Sequence, residues 1–466
     1  MRYVSTRGSA PVLDFRGVTL TGLAADGGLY VPEQWPTLSR ETIAGLAGLS
    51  YVDTAVVVMA PFVDGVLTPD ELRALCETAY ARFAHVAVAP LVQLDHDQWL
   101  LELFHGPTLA FKDIALQLLG QLFERFLTGT TKRLTIVGAT SGDTGSAAID
   151  AVAGRAGLDI FMLHPQGRVS DVQRRQMTTV LSPNVHNIAI DGDFDTAQAL
   201  VKAMFNDRAF ADRFALSAVN SINWARLMAQ VVYYFYAAVR LGAPERSVAF
   251  SVPTGNFGDV FAGYVAAKMG LPIAKLVVAT NVNDILHRAL SAGDYSKGRV
   301  QQTSTPSMDI QVSSNFERLL HDLGARDGAA LTRQMAGFES SGTMRLTNAQ
   351  HQGSTPLLVS DSVSADDMAR SMRWACDSAG QVIDPHTGIA LAAARRTSVD
   401  AGTPIVTLAT AHPAKFPDAV ERATGVRPSL PARLGDLFDR EERYAKLPAT
   451  LKAVTAYIAE RAHPSP

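Results

Sequence analysis

Cysteine is nearly missing from this chain. Of 466 residues only Cys76 and Cys376 are cysteines. They are far apart and outside any C-x-x-C pair, which excludes a disulfide framework and a cysteine-built zinc site and leaves two buried thiols in a reducing compartment as the plain reading. An excess of either charge is missing as well. Lys and Arg total 42 against 45 Asp and Glu, a net charge of -3, so no broad basic field draws the chain onto nucleic acid or an anionic membrane. Long hydrophobic runs are absent too: the most apolar stretch, Leu227 to Val239, contains Gln230 and is too short to span a bilayer, and Met1 to Gly8 has no apolar core of signal-peptide length. The expectation is a soluble cytoplasmic protein with no nucleic-acid or membrane partner. His105, His287, His386 and His412 form no H-E-x-x-H or other helical ligand spacing, so no metal is expected. No G-x-S-x-G elbow supports serine hydrolase chemistry.

What the chain has is alternation. At about 150 residues per domain its length suggests roughly three domains. Residues 1–95 read as a small mixed leading domain, with Asp26-Gly27-Gly28 turning into Leu29-Tyr30-Val31-Pro32 and helical spacing over Pro69 to Phe83. Residues 96–250 and 251–466 read as two α/β regions. Strands are expected at Leu134–Val137, Ile160–Leu163, Val185–Ile190, Val248–Val252, Leu276–Ala279 and Ile405–Leu408, and helices at Thr144–Ala153, Phe194–Phe205, Asn223–Leu241, Asp259–Met269 and Asp366–Ala379. Such alternation requires crossovers, hence largely parallel sheets between helical layers, with ligand loops just after the strands. Thr303–Ser314 and Thr343–Ser354 read as polar, mobile inserts. There is no internal repeat and no low-complexity tract.

Three segments carry chemistry. Pro253-Thr254-Gly255-Asn256-Phe257-Gly258-Asp259 lies between a strand and a helix; its glycines turn backbone N–H groups toward one point and the helix start adds positive potential, an anion cradle. It lacks the Gly-Lys-Ser/Thr ending of a nucleotide loop and the G-x-G-x-x-G spacing. Gly138-Ala139-Thr140-Ser141-Gly142-Asp143-Thr144-Gly145 has the same setting and suits a carboxylate or phosphate. In Glu102-Leu103-Phe104-His105-Gly106-Pro107-Thr108-Leu109-Ala110-Phe111-Lys112-Asp113, Lys112 meets a helix start beside apolar residues, where desolvation makes an amine a usable nucleophile or base; the alternative is a snorkelling lysine. In Asn220-Ser221-Ile222-Asn223-Trp224-Ala225-Arg226, either Ser221 or Asn223 caps a helix, and Arg226 is a solvated helix residue or a bidentate phosphate ligand. Thr410, after the Ile405–Leu408 strand, presents a hydroxyl at a strand end or is a turn residue.

One activatable lysine, two anion loops and a strand-end hydroxyl on an open α/β scaffold fit pyridoxal 5'-phosphate (PLP) chemistry. The Phe104–Asp113 segment closely resembles the cofactor-lysine motif of threonine synthases of the longer bacterial and fungal form. Tyr3–Gly8, Leu23–Pro32, Gly138–Gly145 and Pro253–Asp259 are similar to further blocks of that family, and the resemblance runs to about residue 420. It implies a fold type II PLP-enzyme architecture, tryptophan synthase β-like, with open, largely parallel sheets and a small N-terminal mixed domain. It also implies Lys112 as Schiff-base lysine and proton shuttle, Gly255, Asn256, Phe257 and Gly258 around the cofactor phosphate, and Thr410 at the pyridine nitrogen. Thr140, Ser141 and Thr144 would lie at the substrate carboxylate, and Ser221 and Arg226 near the substrate phosphate. Asp143, counted with the cofactor residues, departs from the Asn found in many related enzymes; beside the cofactor's phenolic oxygen two anionic oxygens would repel unless a proton lay between them. The implied reaction converts O-phospho-L-homoserine and water to L-threonine and phosphate in a monomer or homodimer. The alternatives are a PLP-dependent phospho-lyase or threonine dehydratase-like enzyme giving 2-oxobutanoate, or a catalytically idle PLP-binding homologue.

Overall fold

In the computed structural model residues 1–219 and 221–463 are described; Asn220, which heads the segment running to Arg226, lies outside the described residues. The chain opens with β1 (Tyr3–Ser5) and β2 (Tyr30–Pro32), an antiparallel pair, followed by the helices Tyr51–Val63 and Pro69–Tyr80. The second of these starts on a reciprocal cap: Thr68 accepts from the Glu71 N–H and Glu71 accepts from the Thr68 N–H, with Pro69 next in line. That pattern satisfies helix-start donors and excludes an earlier beginning. Polar contacts fasten this region to the rest. Thr6 Oγ1 donates to Glu317 Oε1 at 2.6 Å, Arg7 pairs with Glu317 at 3.2 Å, and Trp35 Nε1 donates to Asp322 Oδ1 at 2.8 Å.

The remaining strands are β3 (Leu91–Gln93), β4 (Gln98–Glu102), β5 (Leu134–Ala139), β6 (Leu158–Pro165), β7 (Val185–Ile190), β8 (Leu216–Ser217), β9 (Val248–Pro253), β10 (Ile273–Thr280), β11 (Leu358–Ser362), β12 (Ile405–Ala409) and β13 (Ala445–Leu447). They build a six-stranded sheet in the order β11-β10-β9-β12-β4-β3, parallel except for β3 at its edge, and a five-stranded parallel sheet in the order β13-β7-β6-β5-β8. Every residue of β6 is buried, as a parallel strand between helical layers requires. The helix Trp224–Arg240 is buried from Trp224 to Val239 and packs on the helices Tyr51–Val63, Lys112–Leu127 and Gly258–Lys268. An all-round apolar helix belongs in a core, which accounts for the Leu227–Val239 stretch. Among the described residues no helix is long and apolar enough to cross a membrane.

Each strand and helix expected from the alternation is present, several a residue or two longer. Four expectations need correction. The boundary at 250/251 falls inside β9, and the 251–466 stretch returns β13 to the five-stranded sheet beside β7, because parallel strands are joined by crossovers and the chain weaves between layers. Thr303–Ser314 is no mobile insert: Thr305, Met308 and Ser313 are buried and Asp309 accepts from Thr303 and Asn283. Likewise Asn348–Ser354 within the second insert is a helix with a Thr347/Gln350 capping box. Of the two thiols, Cys76 is buried and Cys376 only half-buried.

Candidate active site

Parallel order makes neighbours of distant segments. β9, β12 and β4 are adjacent, Thr407 in register with Ser251 and Ala409 with Glu102, so Pro253–Asp259, Thr410 and the Lys112 segment emerge at one end of one sheet. The last two are pinned together: Phe111 N–H donates to the Thr410 carbonyl at 2.8 Å, and His412 N–H to the Leu109 carbonyl at 3.0 Å. The turn before the lysine is closed by the residue after it. Buried Asp113 accepts from the Thr108 N–H at 2.8 Å and from Thr108 Oγ1 at 2.7 Å, and a Cβ on Gly106 would lie 2.4 Å from that of Asp113. Burial pushes the Asp113 carboxyl up to about 6, against the two Thr108 hydrogen bonds.

Lys112 opens the helix Lys112–Leu127 and is buried. The acidic group facing its Nζ is Asp143, with Oδ2 at 3.6 Å, beyond normal hydrogen-bond length. Burial lowers the Lys112 amine below its ordinary value; Asp143 opposes this, and the cations Lys415 and Arg226 add to it. Such surroundings free an amine for nucleophilic or base chemistry. Asp143 reaches the site from the other sheet, at the start of the helix Asp143–Val152 after β5. Its Oδ1 lies 3.1 Å from Lys415 Nζ and accepts from Gln173 Nε2 at 2.8 Å. Burial opposes its charge, but Lys415, Lys112, Gln173 and His386 together hold it well below the usual carboxylate range.

The anion loops are built as cradles. Phe257 takes a left-handed φ of +62° and precedes the helix Gly258–Lys268 with no side-chain cap; the helices starting at Lys112 and Asp143 also lack one. Among the described residues the first N–H groups of the Gly258 helix are left open to a ligand, whereas at the other two starts Asp113 N–H donates to the Ala110 carbonyl, Ile114 N–H to the Phe111 carbonyl and Gly145 N–H to Thr140 Oγ1. A Cβ on Gly255 would lie 2.4 Å from the Ser307 carbonyl oxygen. Ser313 Oγ donates to the Gly255 carbonyl at 2.8 Å, and Asn315 Nδ2 to the Asn256 carbonyl at 3.0 Å. Ser314 Oγ donates to Asn256 Oδ1 at 3.2 Å and lies 3.0 Å from Ser221 Oγ, which sets Ser221 beside Asn256. In the other loop Thr140 Oγ1 accepts from the Gly142 and Gly145 N–H groups, each at 2.9 Å, shaping the turn that carries the half-buried Ser141 and Thr144. Asn223, not Ser221, caps the next helix. Arg226, one turn in, is 4% exposed, and its Nε and Nη1 have no hydrogen-bond partner among the described residues; burial pushes the guanidinium down to about 10. A backbone cradle with no room for a Cβ, a buried amine and a buried unpaired guanidinium fit a phosphorylated aldehyde cofactor together with a phosphorylated substrate.

Residues 83–336 match the family model for pyridoxal-phosphate dependent enzymes, residues 2–80 that for the threonine synthase N terminus, and residues 387–458 that for the threonine synthase C-terminal region. The threonine synthase of Pseudomonas aeruginosa is 54% identical over 99% of this chain and 98% of its own length. The chain belongs to the threonine synthase family. The PLP-bound threonine synthase of Brucella melitensis is 51% identical with a TM-score of 0.97, covering 99% of this chain and all of the other. The yeast threonine synthase is 38% identical with a TM-score of 0.93, covering 99% and 98%. Function and cofactor follow: PLP-dependent threonine synthase chemistry, on the fold of that enzyme group.

For a threonine synthase, the main site element that sequence reasoning missed is Lys415. Wholly buried, it stands in Ala411-His412-Pro413-Ala414-Lys415-Phe416 just past Thr410, and its apolar neighbours were the available signal. Gln173 and Gln176 lie on the helix Asp171–Thr178, whose polar sequence marks neither. The Asp143 departure has a structural counterpart, since a lysine ammonium sits against the carboxylate.

Proposed function

We propose that this site converts O-phospho-L-homoserine and water to L-threonine and phosphate. Lys112 holds PLP, with the backbone N–H groups of Gly255, Asn256, Phe257 and Gly258 around its phosphate and Thr410 at its pyridine nitrogen. Bound PLP supplies the electron sink that makes hydrogens near the substrate amine acidic. The Thr140, Ser141 and Thr144 loop orients the substrate carboxylate with hydroxyl and N–H donors. Lys112 would move protons at substrate Cα and Cβ so that phosphate departs from Cγ and water adds at Cβ. Arg226, with Ser221, grips the phosphate before and during departure. A hydroxyl at position 410 keeps the pyridine nitrogen less cationic than a carboxylate would. The buried setting of Lys112 limits stray water that would divert the reaction to 2-oxobutanoate.

The observation that carries this reading is Arg226, a buried guanidinium with two nitrogens unpaired among the described residues, on the helix running past the Lys112 helix. An uncompensated buried cation costs several kcal/mol, on the order of 3 to 5, and a substrate phosphate offsets it. We further infer action in the cytoplasm as a monomer or homodimer. The test is a product assay on purified protein with PLP and O-phospho-L-homoserine, following phosphate, threonine and 2-oxobutanoate together. Threonine equal to phosphate supports the reading; phosphate matched by 2-oxobutanoate, or no phosphate release, rejects it.

A further inference from the structure

Two buried lysines share one buried carboxylate, and they share it unequally. Lys415 Nζ lies 2.7 Å from the Thr108 carbonyl, 2.7 Å from Gln176 Oε1 and 3.1 Å from Asp143 Oδ1, one acceptor for each of its three N–H bonds. The Gln176 amide is fixed in this sense because its Nε2 donates to the same Thr108 carbonyl at 3.0 Å. Lys112 Nζ faces only the other oxygen of Asp143, at 3.6 Å. We propose that Lys415 is a positioning residue that claims Asp143 as its counter-ion and so leaves Lys112 as the free amine of the site. This rests on Lys112 being the cofactor lysine.

The charge balance follows from the groups that face each member. Lys112 is faced by Asp143, Lys415 and Arg226. Asp143 is faced by Lys415, Lys112 and His386, whose Nδ1 is held by Asp384 at 2.7 Å. Lys415 is also felt by Asp113, which Asp150 and Arg433 face in turn. With two lysines and one nearby carboxylate, the shorter contact and the full set of acceptors belong to Lys415, and Lys112 keeps only the longer contact. Without Lys415, Asp143 has Lys112 as its one lysine partner, and that ion pair keeps the proton on Lys112. An opposite charge this close shifts an amine by about 1 to 3 pH units. PLP condenses only with the neutral amine: the C–N bond forms, and the two amine hydrogens leave with the aldehyde oxygen as water.

The experiment uses the full-length protein freed of cofactor, mixed with PLP across a pH series. The initial rate of the absorbance change is read, and the product is fixed with borohydride and mapped by peptide mass. Label is expected on Lys112. In Lys415→Met the midpoint of the rate–pH curve moves alkaline by at least about one pH unit; in Asp143→Asn it moves acid; in the double variant it lies between the two. A purely structural role for Lys415 lowers rates without moving the midpoint, so an unmoved or acid-shifted midpoint in Lys415→Met overturns the proposal, as does label on Lys415 in the unsubstituted protein. Should Lys415→Met fail to fold, an unmoved or alkaline midpoint in Asp143→Asn overturns it. Absence of label from Lys112 at every pH rejects the assignment of Lys112 itself, and the charge order with it.

Discussion

Replacing Gly255 by alanine would set a Cβ 2.4 Å from the Ser307 carbonyl oxygen and 3.4 Å from Met308 Cα. Neither neighbour is the free end of a side chain. The Met308 N–H is bonded to the Thr305 carbonyl at 2.8 Å, and the Gly255 carbonyl is held by Ser313 Oγ at 2.8 Å, so the new methyl has to wedge two tied backbones apart. Overpacking of this kind costs about 1 to 3 kcal/mol. If the strain is taken up in the loop that aims its N–H groups at the cofactor phosphate, PLP affinity falls roughly tenfold to hundredfold, at about 1.4 kcal/mol per factor of ten. Gly258→Ala is the graded control, since its Cβ would approach the Asn315 amide nitrogen only to 3.3 Å, a far milder overlap than at Gly255. The assay is equilibrium loading of cofactor-free protein with PLP, followed by absorbance, beside a denaturant midpoint for each variant. Equal affinities for Gly255→Ala and the parent protein would refute the cradle argument, whatever the denaturation shows.

Lys112→Ala is expected to lower turnover by about 10²–10⁴-fold or more while the folded protein survives, because one buried amine without close acceptors contributes little to stability; activity near that of the parent in the purified variant rejects the role. Arg226→Met should raise KM for the phosphorylated substrate about tenfold to hundredfold, since hydrogen bonds to charged groups contribute about 1.5 to 3 kcal/mol each. Its cofactor content and denaturant midpoint should hold or improve, because an unpaired buried guanidinium is removed; loss of PLP with KM unchanged counts against it. Asp259 carries a pH signature. Burial among Tyr233 and Tyr234 raises its carboxyl to about 6, above an unfolded value of about 4. The folded state therefore holds the proton more tightly, and this stability is fully present below pH of about 4 and lost as pH rises through about 6, on the order of 3 kcal/mol in all. Asp259→Asn removes that dependence, so denaturant midpoints of parent and variant should diverge across this window; parallel curves dispose of the claim.

Much of the frame was readable because the pattern and the burial say the same thing. β7 begins and ends at Val185 and Ile190 as expected, a short stretch rich in β-branched residues and bounded by polar turns, buried at every position but His186. The Lys112 segment, the Gly138–Gly145 loop and the Pro253–Asp259 loop were legible from local chemistry: glycines where no Cβ fits, and a lysine beside apolar residues at a helix start. What escaped was set by tertiary contact. Thr303–Ser314 looks like a solvated insert from its Ser, Thr and Gln content, yet Ser313 and the Ser307 carbonyl form the back wall of the phosphate loop. The boundary at 250 fails for a related reason: strand order in a parallel sheet is decided by crossovers, and β9 and β12 become neighbours although more than a hundred residues separate them.

The contrast between satisfied and unsatisfied polar groups links fold to chemistry. Many helix starts are closed by their own side chains, as Thr68 does for the helix beginning at Pro69. The helix that follows the Gly255–Gly258 loop begins without such a cap among the described residues, which leaves its positive potential open to a bound anion. The same criterion separates the cations. Lys415 has an acceptor for each N–H and serves as a fixed counter-charge, whereas Lys112 and Arg226 are buried with their polar demands unmet. A sequence marks all three as basic residues near apolar ones, and it is the acceptor count around each that sets Lys415 apart and makes Lys112 and Arg226 the two cations proposed to meet cofactor and substrate.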